Sequence, residues 1–187
     1  AESADWAGFA AAVTVDLGAG TAMGEGFDTL SGIENVLAGS GADSLLGDGQ
    51  ANILNAGDGA NTIAGAAGND TLVDGTGNGS LAGGVGDDSL FGSTGTDWAF
   101  YGAASGAVSV NLGASTQIAT GADGNDVLSG IENVLGGNDN DTLMGSSLAN
   151  TLDGGLGDDT LDGGDGADSL AGGNGADTVL GLSLIHI

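Results

Sequence analysis

Large aliphatic residues return every nine positions through most of the chain, each within a stretch of Gly, Asp and other small polar residues. From Gly154 the sequence reads GGLGDDTLD, GGDGADSLA and GGNGADTVL, and all three nonads fit G-G-x-G-x-D-x-U-x, where U is a large aliphatic residue. Two looser copies begin at Gly136 and Gly145, and six more run without a gap from Ala38 to Phe91. A short fixed period of this kind is typical of solenoids, in which each repeat stacks on its neighbours.

Each nonad predicts one turn and one short strand. The Gly-rich positions suit a turn because Gly reaches positive φ without steric cost, and x-U-x suits a strand with U pointing inward. Two nonads then form one coil, and stacked coils form two parallel sheets with aliphatic side chains between them. The sequence therefore predicts an all-β parallel β-roll with two nonads per coil. The predicted inward ladders are Leu45, Ile63 and Leu81 facing Leu54, Leu72 and Leu90, and Leu143, Leu161 and Val179 facing Leu152 and Leu170.

A longer repeat surrounds the nonads. DWAGFAAAVTVDL from Asp5 matches DWAFYGAASGAVSVNL from Asp97 with three residues inserted, which places Trp6 and Trp98 at equivalent, packed positions. In both copies a GIENV segment follows, in which Glu34 or Glu132 takes the place of the Asp. We therefore expect two solenoid units, residues 1–95 and 96–181. VTVDL and VSVNL predict short strands with one buried face, and a seventh nonad frame, from Gly92, is expected to break down after Asp97.

All charged side chains except one His are acidic. The chain has 26 Asp and Glu residues, no Lys or Arg, and a formal net charge of −26. Mutual repulsion opposes a compact state, and nothing can neutralise phosphate, so nucleic acid and anionic membrane surfaces are poor partners. No apolar run approaches the ~20 residues of a membrane-spanning helix. A multivalent cation is the expected counter-charge.

The sixth position of each nonad offers a ligand for such a cation. Turns 18 residues apart stack at about 4.8 Å, so their carboxylates face a common gap beside turn carbonyls. Six to eight oxygen ligands in a flexible arrangement suit Ca²⁺ better than Mg²⁺. Zinc and copper are disfavoured, because proteins bind these metals mainly through Cys and His side chains. The chain has no Cys, and its single His, His186, lies in an atypical tail.

These nonads resemble the RTX, or haemolysin-type, calcium-binding repeat. The resemblance covers Ala38 to Phe91 and Gly136 to Leu180, and it implies a right-handed parallel β-roll that holds Ca²⁺ between successive turns. It also implies export by a type I secretion system and folding in extracellular calcium. Carried onto this sequence, the implied ligands are the sixth-position side chains and turn carbonyls: Asp43, Asp70, Asp88, Asp141, Asp159, Asp168, Asp177, Gly155, Gly157, Gly164, Gly166, Gly173 and Gly175.

The chain departs from this pattern at four sixth positions. Asn52, Asn61 and Asn150 replace the carboxylate, and Gly79 removes the side chain. The amide oxygens remain candidate ligands. We therefore expect good sites at Asp141/Asp159, Asp159/Asp177 and Asp70/Asp88, a weaker one at Asn150/Asp168, and almost no binding at Asn61/Gly79.

The leading functional prediction is a calcium-binding module of a larger secreted bacterial protein, with disorder expected when calcium is absent. The alternative is an adhesin or an ice- or polysaccharide-binding solenoid, because position seven carries Thr142, Thr160 and Thr178 on one face and Thr151 and Ser169 on the other. Catalysis is not expected, since no nucleophile–base pair is evident. The opening AESADWAGFA indicates an internal piece of a longer chain. Residues 182–187, LSLIHI, resemble a translated sequencing-adapter end, although a natural apolar strand is the other interpretation.

Overall fold

The computed structural model describes residues 2–24 and 26–181, and within these ranges the chain forms strands and turns without helices. The described ranges contain no helix that is long and apolar enough to cross a membrane. The tail of residues 182–187, for which a non-native origin is expected, lies outside the described residues. The strands in the described part are β1 Ser3–Asp5, β2 Thr14–Asp16, β3 Thr21–Met23, β4 Phe27–Thr29, β5 Asn35–Leu37, β6 Ser44–Leu46, β7 Ile53–Gly57, β8 Thr62–Ala67, β9 Thr71–Asp74, β10 Ser80–Val85, β11 Ser89–Phe91, β12 Trp98–Phe100, β13 Val108–Asn111, β14 Gln117–Gly121, β15 Gly124–Ser129, β16 Asn133–Leu135, β17 Thr142–Met144, β18 Thr151–Asp153, β19 Thr160–Asp162, β20 Ser169–Ala171 and β21 Thr178–Leu180.

Consecutive nonads alternate between two long sheets. The first sheet has the strand order β1-β5-β7-β9-β11-β15-β14-β13-β17-β19-β21, and the second has the order β20-β18-β16-β12-β10-β8-β6-β2-β3-β4. Within each nonad block a strand pairs in parallel with the strand 18 residues away, as Leu54 does with Leu72 and Leu45 with Ile63. The predicted parallel β-roll is confirmed.

The interior is one continuous ladder of aliphatic side chains between the two sheets. Leu54, Leu72 and Leu90 of the first sheet are fully buried, as is Leu81 of the second sheet. The same arrangement continues through Leu143, Leu152 and Leu161, whereas Leu170 and Val179 in the last coil are partly exposed. The predicted inward ladders are therefore confirmed except at the last coil, where Val179 is 44% exposed because no further coil covers it in the described structure.

The two units align without a gap over their first 17 residues. Val15 and Val110 occupy equivalent strand positions, and so do Leu17 and Leu112, at a constant offset of 95. The backbone N–H of Trp6 donates to the carbonyl of Leu37, and that of Tyr101 donates to the equivalent Leu135. Trp6 thus corresponds to Tyr101, and the expected equivalence of Trp6 and Trp98 is wrong.

The three extra residues of the second unit lie in an antiparallel hairpin. Strands β2, β3 and β4 form this hairpin in the first unit, and β13, β14 and β15 form it in the second. In the second unit, β15 pairs with β11 and β13 pairs with β17. The hairpin therefore joins the two nonad blocks within the first sheet, and the offset rises from 95 at Leu17/Leu112 to 98 at Leu30/Leu128.

The seventh frame, from Gly92, continues the roll beyond Asp97. Strand β12 pairs in parallel with β10 on one side and with β16 on the other. Ala99 occupies the aliphatic position and is fully buried. The expected breakdown after Asp97 is therefore wrong: a small inward Ala replaces the large aliphatic residue, while Trp98 stacks on Phe100 with ring centroids 5.6 Å apart.

Candidate metal sites in the turns

Sixth-position side chains form ladders along the two turn edges of the roll. In each step a side-chain oxygen accepts a hydrogen bond from the backbone N–H of the sixth-position residue one coil earlier. Asp70 N–H donates to Asp88 Oδ1 at 2.8 Å, and Asp141 N–H donates to Asp159 Oδ1 at 2.7 Å. The other steps join Asp43 to Asn61, Asn52 to Asp70, Asn150 to Asp168 and Asp159 to Asp177.

The second carboxylate oxygen in many of these turns is buried and unpaired. Oδ2 of Asp43, Asp70, Asp88 and Asp159 has no hydrogen-bond partner among the described residues, and each side chain is 2% exposed or less. A buried anionic oxygen without a partner carries a large desolvation penalty. These oxygens therefore point to a missing positive partner.

A turn carbonyl lies beside the unpaired oxygen. A Cβ atom on Gly154, the first residue of its nonad, would meet the Gly172 carbonyl oxygen at 2.6 Å and would lie even closer to Oδ2 of Asp159. Gly65 has the same relation to the Gly83 carbonyl and to Oδ2 of Asp70. Two oxygens from different coils thus converge at a point that only Gly leaves open.

The donor set of these cradles fits a hard cation. No group of three or more His, Cys, Asp or Glu side chains converges as a metal site within the described ranges. Each cradle instead combines a carboxylate with main-chain carbonyls, which is the ligand chemistry that Ca²⁺ accepts with its flexible coordination. The residues present therefore fit calcium at Asp70 and Asp159 and their neighbouring turns. Asp141 lies in a cradle of the same shape beside Gly136, but its Oδ2 accepts from Gly137 N–H.

Burial opposes the charge of these carboxylates. Desolvation raises the pKa of Asp70 to about 6, with smaller contributions from the neighbouring Asp88 and Asp48 charges. Burial likewise raises the pKa of Asp88, Asp141 and Asp159, while backbone hydrogen bonds partly offset the effect. The turns thus hold negative charge that is poorly solvated in the absence of a cation.

An Asn at the sixth position satisfies its own turn. Asn150 Oδ1 accepts from Ser146 N–H at 2.7 Å, and its Nδ2 donates to the Glu132 carbonyl at 2.7 Å. Asn52 makes the equivalent pair of bonds, accepting from Asp48 N–H at 2.8 Å and donating to the Glu34 carbonyl at 3.3 Å. The amide therefore links two coils where a carboxylate would leave one oxygen unpaired.

The third Asn is bonded differently. Asn61 Oδ1 accepts from Asp43 N–H at 2.8 Å, and its Nδ2 donates to Asp74 Oδ1 at 2.5 Å. Asp43 itself also accepts, through Oδ1, from Val13 N–H at 2.8 Å, which extends the ladder to the first unit's hairpin. Asn61 therefore directs its donor to a carboxylate outside the sixth position.

The last turns of the roll keep the geometry at higher exposure. Asp168 and Asp177 are partly exposed, and Oδ2 of Asp168 lies 2.6 Å from the Cβ position of Gly163. The six turn glycines expected to contribute carbonyls all have positive φ, and an added Cβ on any of them would collide with an earlier coil; they are Gly155, Gly157, Gly164, Gly166, Gly173 and Gly175. Their role as ligands stays a prediction.

Two position-six carboxylates were absent from the sequence-derived set. Asp97 is fully buried, its Oδ1 accepts from Gly79 N–H at 2.6 Å, and its Oδ2 is unpaired within the described structure. Asp126 accepts from Asp88 N–H through Oδ1 and from the Tyr101 hydroxyl through Oδ2, both at 3.0 Å. The nonad GADGNDVLS from Gly121 fits the motif except for Ala122 at the second position, and it was the available signal for Asp126.

Comparison with known proteins agrees with this geometry. The family model of the RTX calcium-binding nonapeptide repeat matches four stretches, residues 37–72, 73–105, 135–170 and 144–179. Together these stretches cover more than half of the chain. No curated protein matches the chain.

Proposed function

Because this chain belongs to the RTX calcium-binding nonapeptide repeat family and forms a calcium-binding β-roll, we propose that it folds on binding Ca²⁺ outside the cell. It would serve as a rigid module of a larger secreted bacterial protein, exported by a type I secretion system. The repeat itself is a structural calcium-binding element without catalytic function. Any enzymatic activity of the parent protein would reside in other residues.

One observation carries this proposal: the row of buried, unpaired carboxylate oxygens beside turn carbonyls. Oδ1 of Asp88 and Oδ1 of Asp159 each accept from the backbone of the preceding coil, which fixes these side chains and leaves Oδ2 without a partner among the described residues. Calcium, when bound, supplies positive charge to these oxygens and links successive turns. The pairs Asp70/Asp88, Asp141/Asp159 and Asp159/Asp177 are proposed as the best sites, and Asn150/Asp168 as a weaker one.

The charge composition supports coupling between binding and folding. No Lys or Arg is present to neutralise 26 acidic residues, so stacking the turns concentrates charge of one sign. Metal binding that requires the folded turns contributes directly to the folding free energy. Extracellular calcium modules work at about 10⁻⁴–10⁻³ M, and a site in that range would be empty during export and filled afterwards.

Far-UV circular dichroism of the chain during a calcium titration tests the proposal. We expect a coil spectrum in EDTA, a cooperative change to a β spectrum as Ca²⁺ is added, and full reversal by excess EDTA. Mg²⁺ at the same concentrations is the control and should produce little change, since it requires a tighter octahedral site. A β spectrum already complete in EDTA, or an equal response to Mg²⁺, would contradict calcium-dependent folding.

The Thr face gives a second candidate function. Thr142, Thr160 and Thr178 pair directly with one another across three coils of the first sheet, and all three are exposed. Such a regular ladder could bind ice or a polysaccharide, which would make the module an adhesin or an ice-binding solenoid. Thermal hysteresis and glycan-array binding by the calcium-loaded chain distinguish this function from a purely structural role.

A further inference from the structure

The nonad DGTGNGSLA, from Asp74 to Ala82, differs from the motif at two positions at once. Its sixth residue is Gly79, so the carboxylate is missing, and its first residue is Asp74 instead of Gly. Motif matching alone therefore predicts almost no metal binding in this turn. The three-dimensional structure leads to a different interpretation.

The Asp74 carboxylate occupies the space that a side chain at Gly79 would need. A Cβ atom on Gly79 would meet Asp74 Cγ at 2.7 Å and would lie even closer to Asp74 Oδ2. In a standard turn the sixth-position carboxylate reaches the same gap from the opposite side and approaches the first-position Gly, as Asp70 approaches Gly65. In this nonad the Asp and the Gly have exchanged positions: Asp is first and Gly is sixth. A carboxylate therefore still lies in the centre of the turn.

The carboxylate is buried and only half satisfied. Asp74 is fully buried; its Oδ1 accepts from Asn61 Nδ2, and its Oδ2 has no partner among the described residues. Burial raises the pKa of Asp74, and the hydrogen bonds from Asn61 and the Gly75 backbone offset only part of that effect. Asp74 therefore has one buried carboxylate oxygen without a hydrogen-bond partner in the described structure, and so do Asp70, Asp88 and Asp159.

A second unpaired carboxylate lies in the next turn of the same edge. Asp97 is also fully buried; its Oδ1 accepts from Gly79 N–H, and its Oδ2 has no partner in the described part of the chain. Gly79 lies between the two carboxylates, because its N–H donates to Asp97 Oδ1 and its Cβ position lies against the Asp74 carboxylate. Two adjacent buried anions, each with one free oxygen, require a positive partner.

We propose that Asp74 restores the calcium site that Gly79 removes, and that Asp74 and Asp97 bind one Ca²⁺ between their turns. This inference rests on the proposed function, because it assumes that the standard turns bind calcium. It assigns a ligand at the first position of a nonad, in the gap between the Gly79 turn and the Asp97 turn. The expectation of almost no binding at Asn61/Gly79 concerns the gap one coil earlier and stays a prediction.

Moving the carboxylate back to the sixth position tests the proposal. Four variants of the full chain are compared: Asp74→Asn, Asp74→Gly, Gly79→Asp and the double variant Asp74→Gly/Gly79→Asp, whose nonad reads GGTGNDSLA. The number of bound Ca²⁺ ions is measured by isothermal titration calorimetry, with Tb³⁺ luminescence as a second readout. The unmodified sequence is called the parent chain. We expect Asp74→Asn and Asp74→Gly each to bind one Ca²⁺ ion fewer than the parent chain, and the double variant to bind the same number as the parent chain.

Thermal unfolding gives a readout that does not depend on counting ions. Gly79→Asp in the parent chain places a second carboxylate on top of Asp74 and should lower the melting temperature in calcium. The same substitution in Asp74→Gly should raise it, so the sign of the effect reverses. Relief of the clash with Asp74 would by itself reverse the sign, so the melting temperatures are compared over a range of Ca²⁺ concentrations. The double variant should gain more from added Ca²⁺ than Asp74→Gly, because it binds one more ion. An equal gain would contradict the Asp74 site.

Asp70→Asn and Asp165→Asn separate failure of this inference from failure of the proposed function. Asp70 lies in a standard turn, whereas Asp165 is exposed, and both substitutions remove one charge. If Asp70→Asn loses an ion and Asp74→Asn binds as many as the parent chain, the Asp74 site is wrong while the calcium function stands. If the parent chain binds no Ca²⁺, both are wrong. Failure of the double variant to regain the ion would also overturn the Asp74 assignment.

Discussion

At the scale of single residues, the side chain at the sixth position determines which backbone groups of the turn it can pair with. The Asn150 amide donates to the Glu132 carbonyl and accepts from Ser146, so both of its polar atoms are paired. Asp159 Oδ1 instead accepts from Asp141 N–H, and its Oδ2 is left without a partner in the described structure. We therefore expect the Asn turns to link coils without metal, and the Asp turns with an unpaired Oδ2 to require calcium.

Replacing Asn150 by Asp should make the stability of this turn depend on calcium. The carboxylate cannot donate to the Glu132 carbonyl, so two oxygens face each other, at an expected loss of about 1–3 kcal/mol without metal. Saturating Ca²⁺ should recover this loss and add an ion. Urea unfolding in EDTA and in calcium measures both values, with Asn138→Asp as the control because Asn138 is exposed in a neighbouring turn. Equal destabilisation of Asn150→Asp under both conditions would contradict the prediction.

At the scale of the strands, the inward aliphatic of each nonad contributes most of the packing. Leu72 is fully buried and pairs with Leu54 and Leu90 in the adjacent coils. We expect Leu72→Ala to reduce the unfolding free energy of the calcium-loaded chain by about 2–5 kcal/mol, because the narrow interior cannot collapse around the cavity. Leu148, 62% exposed in a turn, provides the control, and Leu148→Ala should change the unfolding free energy by less than about 0.5 kcal/mol. Chemical unfolding measures both, and similar effects would argue against the ladder as the main source of packing.

Close stacking of turns depends on glycines with positive φ. Gly86 has a φ of 140°, and a Cβ there would meet the Gly68 carbonyl carbon at 2.6 Å and its oxygen at a shorter distance. Gly86→Ala should therefore separate two coils and lower the melting temperature. Gly49→Ala is the matched control, since nothing lies within 4 Å of its Cβ position. If neither variant changes the melting temperature relative to the unmodified chain, the coils can move apart without a loss of stability.

Sequence reasoning recovered the elements that depend on local period and missed those that depend on contacts between distant coils. The nonads alone placed Leu54, Leu72 and Leu90 in one ladder, because each strand position repeats at a constant spacing. Composition could not align Trp6 with Tyr101, since a shared Asp-Trp pair suggested a different register. Nor could the motif show that Asp74 fills the gap at Gly79, because that contact depends on how the turn folds back on itself.

At the scale of the whole molecule, two continuous sheets carry a charge of a single sign. The hairpin β13–β15 joins the nonad blocks within the first sheet, so the aliphatic ladder and the turn rows extend through both units. With a net charge of −26 and no Lys or Arg, either cations or protons must reduce the repulsion between turns. The folded state is therefore expected to respond to calcium and to pH in linked ways.

In the absence of calcium, acidification should favour the folded roll. Burial raises the pKa of Asp70, Asp97 and Asp126 to about 6 each, compared with about 3.9 in an unfolded chain. The folded state thus binds more protons between these values, so the stabilisation is complete below about pH 4 and is lost as the pH rises through about 6. In saturating calcium the direction should reverse, because protons compete with the metal for the same oxygens.

Far-UV circular dichroism of the calcium-depleted chain between pH 5 and 7.5 measures this response. We expect more β signal at pH 5 than at pH 7.5 without calcium, and a higher calcium midpoint for folding at pH 5 than at pH 7.5. Asp70→Asn should weaken the pH response because it removes one of the buried titrating groups, whereas Asp165→Asn, which changes an exposed side chain, should weaken it less. A metal-free chain that loses β signal on acidification would show that the buried carboxylates are not what opposes folding at neutral pH, and the turn rows would then need a different explanation.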